Sequence, residues 1–375
     1  MKNHFIIPII AIALILQWYS HSSGLLLTAD SYHYISGSES FKHSRSLIDG
    51  DGHNFLFWPP LFPIILSLLG PCGEGLIWIN IFLEVCIALV VLSIVNRIIQ
   101  HSGIRLLYFI SILLGVHILL ISSFLWSELI FLFLAVIFVD QLQKSRKNRT
   151  SFYLAIVSGF LMCLQRNAGL FIALGATIWI FIDEENRRQA ILKSSVFFLC
   201  VNSGLLLWNG YVWFLAPHGH FDFSGKLFQY TVQNSNSIAH AVVNTFLPIH
   251  VFSIPILISA FISLTVFLKT ELKRDRSLQL IFIITIVYLI CLTLVVSTNI
   301  DGFLVDEGEG DRFISVIVPF LSLLLFKALE KIYDRQASVS RIVMMMLIGC
   351  WLIYPLARTI RNAKQWHDVS TSKRL

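Results

Sequence analysis

Residues 144–188 read KSRKNRTSFYLAIVSGFLMCLQRNAGLFIALGATIWIFIDEENRR. Lys144, Arg146, Lys147 and Arg149 close this stretch on one side, and Arg187 and Arg188 close it on the other. Lys and Arg in short loops stay cytoplasmic, so the apolar chain between the two clusters must leave that side of a membrane and come back to it. Each arm is shorter than the roughly 20 residues that usually cross a hydrocarbon core of about 30 Å. Arg166 sits at the bend. A guanidinium there is costly unless it faces a wet cavity or a counter-charge, so Arg166 reads as a functional group.

Outward from this stretch the same pattern repeats. The chain has 375 residues, 56% hydrophobic and 13% charged, too apolar a balance for a water-soluble domain of that length. Apolar runs predict helices near 5–20, 75–97, 104–122, 125–141, 152–165, 167–182, 192–214, 247–268, 279–298, 313–330 and 341–357, an all-α polytopic membrane protein with about eleven spans. An inside N-terminus also gathers Arg97, Arg105, Lys269, Lys273, Arg274, Arg276, Lys331, Arg335 and Arg341 on the cytoplasmic side. The basic tail from Arg358 to Arg374 is the exception, falling outside and leaving an even count open. The first run is expected to be a retained helix, since no small-x-small cleavage signature follows it. The expectation is one inner (plasma) membrane domain over 1–375, with the principal module in 1–330, an outer loop at 21–74, and a final helix and short tail in 331–375.

The formal charge of +6 does not point to nucleic acid, because the cations lie in short clusters between apolar runs instead of along one polar face. The six cysteines lack paired spacing, so neither a disulfide framework nor a zinc site is expected. Histidines at 21, 33, 43 and 53, and the run His218-Gly-His220-Phe-Asp222, match no compact zinc pattern. In the first outer loop the chain turns apolar around Trp58-Pro59-Pro60-Leu61, and Leu61–Leu69 is too short to span. Its Trp, Phe and Pro residues fit a helix lying at the outer interface.

Outer-face acids and cations are the candidate chemistry. Asp30 follows the first helix, and Glu128 opens the fourth within Trp126-Ser127-Glu128. Near lipid, a carboxylate serves as general base toward a hydroxyl or holds a divalent cation through oxygen. The plainer alternative is that both acids sit at helix N-termini, where the dipole favours them. Arg166 and Arg312 are suited to phosphate, which a guanidinium fork binds well at low dielectric. The alternative for Arg312 is a surface pair with Asp311 or Glu309. The acidic run between Asn299 and Asp311 reads as a solvated loop, and Glu84 as a buried acid facing the bundle or lining a cavity.

At these residues the chain resembles the GT-C class of polyprenyl-phosphate-dependent glycosyltransferases, which includes protein O-mannosyltransferases and lipid A aminoarabinose transferases. The matching pieces are Asp30 with Tyr34 past the first helix, though Ser31 stands where a second acid is frequent, then Pro59-Pro60-Leu61, Ser127-Glu128, Gln165-Arg166-Asn167-Ala168-Gly169, and Arg312-Phe313 with Pro319. Their order covers roughly residues 1–330. The resemblance implies a GT-C fold, a donor held by its phosphate at the outer interface, and Asp30 as acid-base or metal-organising residue. Catalytic work is expected of Asp30 and Glu128, donor-phosphate binding of Arg166 and Arg312, and substrate contact of Tyr34 and Trp58. No cofactor is required by this reading, and a divalent cation stays open because the acid at 30 is single. The expected partners are a polyprenyl-phosphate sugar donor, a lipid, glycan or protein acceptor, and membrane lipid. The rival readings are a transporter or flippase of a lipid-linked sugar, and a polymerase or ligase of the O-antigen type. The latter usually keeps its key residues on a large late outer loop, and here the span from Ala216 to Thr245 carries only Asp222 and Lys226 as charged groups.

Overall fold

The computed structural model describes residues 6–22, 24–55, 58–70, 74–215, 230–248, 252–298 and 304–372. Every predicted apolar run is helical. In chain order the helices are α1 (Ile6–His21), α2 (Ala29–Ser44), α3 (Leu61–Leu69), α4 (Glu74–Ile98), α5 (Ser102–Leu113), α6 (Val116–Ser123), α7 (Glu128–Lys144) and α8 (Arg149–Gln165). They continue as α9 (Gly169–Asp183), α10 (Arg187–Leu215), α11 (Thr231–Phe246), α12 (Ser253–Arg274), α13 (Arg276–Thr298), α14 (Glu307–Ile314), α15 (Val318–Asp334) and α16 (Ser338–Ser372). Among the described residues six helices, counting α5–α6 as one, are long and apolar enough to cross a membrane, or seven if the bent pair α14–α15 is a single span. The remaining predicted spans, α1, α7, α8 and α9, have 16, 17, 17 and 15 residues. At 1.5 Å per residue such helices reach only about 22–26 Å.

Charge pairs gather one end of the bundle. Arg97 and Lys144 both meet Asp140 at 2.6 Å, and Asp183 takes Arg146 and Arg276 at 3.2 Å each. The loops α7–α8, α9–α10 and α12–α13 therefore share this basic end, and Lys331 of α15, 3.6 Å from Glu271 of α12, brings the α15–α16 turn to it; the sequence assigns this end to the cytoplasm. The opposite end carries α2, α3 and α11. The N-terminal end of α1 is at the basic end, whereas the last turns of α16 are at the other: the His367 ring stacks on Tyr19 at 4.4 Å, and Arg358 pairs with Asp311. The described cations of this last helix, Arg358, Arg361 and Lys364, thus lie away from the basic end.

Several helices depart from the predicted ones; the run predicted at 247–268, for instance, is helical from Ser253 and continues to Arg274 as α12. The run 104–122 breaks between α5 and α6, where a Cβ on Gly115 would lie 2.4 Å from the Ser111 carbonyl oxygen. The run 313–330 begins earlier, as α14, and bends by 72° into α15. The last helix extends from 338 to 372 straight through Pro355. Finally, the second half of the stretch read as a late loop, from Thr231 on, is α11, an amphipathic helix whose Asn234, Ile238, Ala241 and Val242 are buried. Its few charges and polar outer face hide it from a search for apolar runs. Asp222, Lys226, the histidine run at 218–222, Cys72 and Asp301 lie outside the described residues.

Candidate active site

Two chain segments far apart in sequence are stitched together next to the site. Leu26 and Phe124 form an isolated parallel bridge, with the Leu26 amide donating to the Ser123 carbonyl and the Leu125 amide to the Leu26 carbonyl, both at 2.9 Å. Ser31 Oγ donates to the Leu125 carbonyl at 3.0 Å, and the Trp126 indole donates to Thr28 Oγ1 at 2.8 Å. These bonds fix the start of α2 against the start of α7. Asp30 and Glu128 consequently stand in the first turns of two adjacent helices, where each N-terminus favours a negative charge. The capping alternative therefore describes their surroundings correctly without exhausting them, because both acids also meet cations.

The tight hairpin between α8 and α9 delivers one of these cations. Gly169 closes it, and a Cβ there would lie 2.8 Å from the Cys163 Cα, with no room to relax. Gln165 Nε2 donates to the Ser127 carbonyl at 3.1 Å. Arg166 then places Nη1 2.6 Å from Glu128 Oε1 and 2.8 Å from Ser127 Oγ.

The second cation comes from α14. Arg312 Nε pairs with Glu128 Oε1, Nη2 lies 2.7 Å from Asp30 Oδ2, and the guanidinium carbon is 4.3 Å from the centre of the Trp126 ring. Arg312 is thus sandwiched between two carboxylates and an aromatic face and does not pair with Asp311 or Glu309. Asp311 instead meets Arg358 of α16. The missed helix α11 contributes to this placement: Asn234 Oδ1 accepts from the Val305 amide at 3.0 Å, and Ser237 Oγ donates to the Val305 carbonyl at 2.9 Å, just before α14. The periodic Asn234-Ile238-Ala241 face was the signal available for it in the sequence.

Exposure differs across the quartet in a way that sorts the groups. The side chains of Glu128 and Arg312 are 2% and 9% exposed, those of Arg166 and Asp30 19% and 26%. Glu128 is shut in by two guanidinium groups, whereas Asp30 and Arg166 open outward. Tyr34 and Trp58 lie beside them. Tyr34 is buried with its hydroxyl 3.4 Å from Ser127 Oγ, and burial pushes the phenol up to about 12, so it stays neutral near pH 7. Its ring packs edge-on to Phe62 at 4.8 Å and lies 5.7 Å from Trp58. Trp58 is half-buried against Tyr34, Phe55 and His33, and lies in the wall of this aromatic cluster. Glu84 is buried within α4, away from the quartet's charge pairs, and its Oε2 has no hydrogen-bond partner.

Behind the aromatic wall lies a cavity of about 450 Å³ between the α2–α3 segment and helices α8 and α10. Phe55, Pro60, Leu164, Leu207 and Trp208 line it, with Arg45 at its polar edge. Phe55 is shared: it faces this cavity and also packs 6.2 Å from the Tyr34 ring.

The helical bundle, with juxtamembrane helices after the first span and a charged quartet at one end, is that of a multi-pass membrane protein, and its overall fold is the GT-C fold. Comparison with solved structures gives the same fold. The chain is similar to ArnT from Cupriavidus metallidurans, a structure bound to undecaprenyl phosphate, with a TM-score of 0.56 and 15% identity over 93% of this chain and 63% of that one. It is similar too to the Archaeoglobus fulgidus oligosaccharyltransferase, a structure tethered to an acceptor peptide, with a TM-score of 0.55 and 12% identity over 98% of this chain and 55% of that one. The chain thus spans less than two thirds of the length of either. No family model and no curated protein matches its sequence.

Proposed function

We propose that the protein transfers a sugar from a polyprenyl-phosphate donor to an acceptor hydroxyl on the non-cytoplasmic side of the membrane, with inversion at the anomeric carbon. The observation that carries this reading is the meeting of Asp30 and Glu128 with Arg166 and Arg312 in one place, beside an apolar cavity. In ArnT the polyprenyl phosphate is known to bind, which supports the same class of ligand here. The isoprenoid tail occupies the apolar cavity and adjoining lipid. The donor phosphate meets Arg166 first, as the more open cation, and then Arg312. Both neutralise the charge that builds on the departing phosphate. Asp30, the accessible carboxylate, removes the proton of the acceptor hydroxyl as its oxygen attacks the anomeric carbon, and the carbon–phosphate oxygen bond breaks on the opposite side.

Glu128 has a different task. With both neighbouring arginines bound to it, it makes a poor base and a good anchor, so we assign it as a positioning residue that aims the two guanidinium groups. The quartet does not suit a divalent cation, because an ion between Asp30 and Glu128 would face two guanidinium charges at hydrogen-bonding range. The reading is tested with purified protein in nanodiscs, supplied with a defined set of polyprenyl-phosphate sugars and acceptors and followed by mass spectrometry. Release of free polyprenyl phosphate together with a glycosylated acceptor is expected; movement of intact donor between leaflets without cleavage would replace the reading with a flippase.

A further inference from the structure

The first outer loop holds a second cluster that the proposed reaction does not use. After α2 the chain makes a turn, Asp49-Gly50-Asp51-Gly52-His53, closed by the Ile48–Asn54 bridge and by the Asp49 amide donating to the His53 carbonyl at 2.8 Å. Asp49 Oδ1 accepts from the Asp51 and His53 amides at 3.0 and 2.9 Å, which fixes its carboxylate, and Gly52 takes a φ of +81° that a side chain would strain. The turn folds back onto His33 of α2. One ligand atom from each of His33, Asp49 and Asp51 lies within 4.8 Å of the other two.

The imidazole is the informative member. His33 Nδ1 is shielded from solvent and has no hydrogen-bond partner, while its ring is held 5.0 Å from the ring of Trp58. A Cβ on Gly50 would come 3.7 Å from that nitrogen, so the turn covers it closely. A shielded nitrogen without a partner costs on the order of 1–3 kcal/mol, and native structures rarely keep one without a reason. Two carboxylates lying beside the same imidazole supply the negative charge an ion needs, and among the described residues neither Asp49 nor Asp51 forms an ion pair with a Lys or Arg.

We infer that His33, Asp49 and Asp51 form a divalent-cation site that clamps the 46–55 loop onto α2. One imidazole nitrogen with two carboxylate oxygens suits the borderline ion Zn²⁺ best and admits Mn²⁺ more weakly, whereas Mg²⁺ and Ca²⁺ favour all-oxygen sets. Asp51 is exposed, so its rotamer adjusts to bring the set to bonding distance, and water completes the shell. The clamp acts on two surfaces at once. His33 stands three residues after Asp30 on α2, and the clamped loop supplies Ser46, Leu47, Asn54 and Phe55 to the wall of the apolar cavity. The site is independent of which reaction the chain performs.

The test uses the full-length protein in nanodiscs, stripped with a chelator and titrated with Zn²⁺ and, separately, Mn²⁺, with bound metal measured after dialysis. One equivalent is expected in the wild type, and His33→Gln and Asp51→Asn should each weaken uptake by more than about tenfold, since loss of even an outer partner of a ligand costs 10–100-fold. His53→Ala serves as the control that keeps it. Asp51→Asn alters an exposed side chain, so its folding is secure, and tryptic cleavage after the exposed Arg45 gives a second readout that metal should slow in the wild type and in His53→Ala but not in the two ligand variants. No uptake by the wild type, or equal uptake by all variants, overturns the site.

Discussion

Asp30→Asn is expected to lower turnover by roughly 10²–10⁴-fold, the usual contribution of a positioned general base. The amide keeps an oxygen to accept from Arg312 Nη2, the contact that Asp30 Oδ2 makes at 2.7 Å. Only the proton-accepting charge is lost. Because Asp30 is the most exposed of the four groups, its contribution to stability is small, below about 1 kcal/mol, as for other partly solvated ion pairs. Donor binding, read by fluorescence or by co-purified lipid, should therefore persist while product formation falls. A variant that turns over at the wild-type rate removes Asp30 from the chemistry.

Arg312→Ala is expected to act on both stability and rate. The wild-type guanidinium is 9% exposed and serves two carboxylates and the Trp126 face. Truncating it leaves Asp30 without an ion-pair partner and Glu128 with Arg166 alone among the described residues, and deleting one partner of a buried ion pair typically costs about 3–5 kcal/mol. A drop in thermal stability of the detergent-solubilised protein should report it. The lost stabilisation of the leaving phosphate should lower turnover by a further factor of about 10²–10³ among the molecules that stay folded. Arg312→Lys separates the two effects: it restores a charge, hence most of the stability, but not the planar fork that reaches both carboxylates. A folded, fully active Arg312→Ala protein would contradict the geometry of the quartet as the working site.

Much of the membrane architecture was legible because lipid imposes a simple rule, a long apolar run between polar flanks, and the basic clusters at 144–149 and 187–188 set the turns. The same rule explains what was missed. Helix α11 is half polar and passes no hydropathy test, yet Asn234 and Ser237 hold the segment that leads to Arg312. The pairing partners were equally hidden. Nothing in Gly310-Asp311-Arg312 tells that Asp311 turns to Arg358 and Arg312 to Asp30 and Glu128, since that choice is made by the 72° bend between α14 and α15 and by the packing of α16. The residues singled out from the sequence do meet, but the difference between Glu128, enclosed, and Asp30, open, depends on burial and appears only in three dimensions. The His33 cluster was unreadable for the same reason: its ligands are sixteen and eighteen residues apart, and a turn with two glycines brings them together.

The division of labour between an open carboxylate and two phosphate-facing arginines is tested most directly by stereochemistry. Wild-type protein is given a polyprenyl-phosphate sugar of defined anomeric configuration, and the configuration of the glycosylated product is read by NMR. A single displacement, with Asp30 activating the acceptor opposite the phosphate, predicts a product inverted at the anomeric carbon. A retained configuration, or no product from any polyprenyl-phosphate sugar, contradicts it.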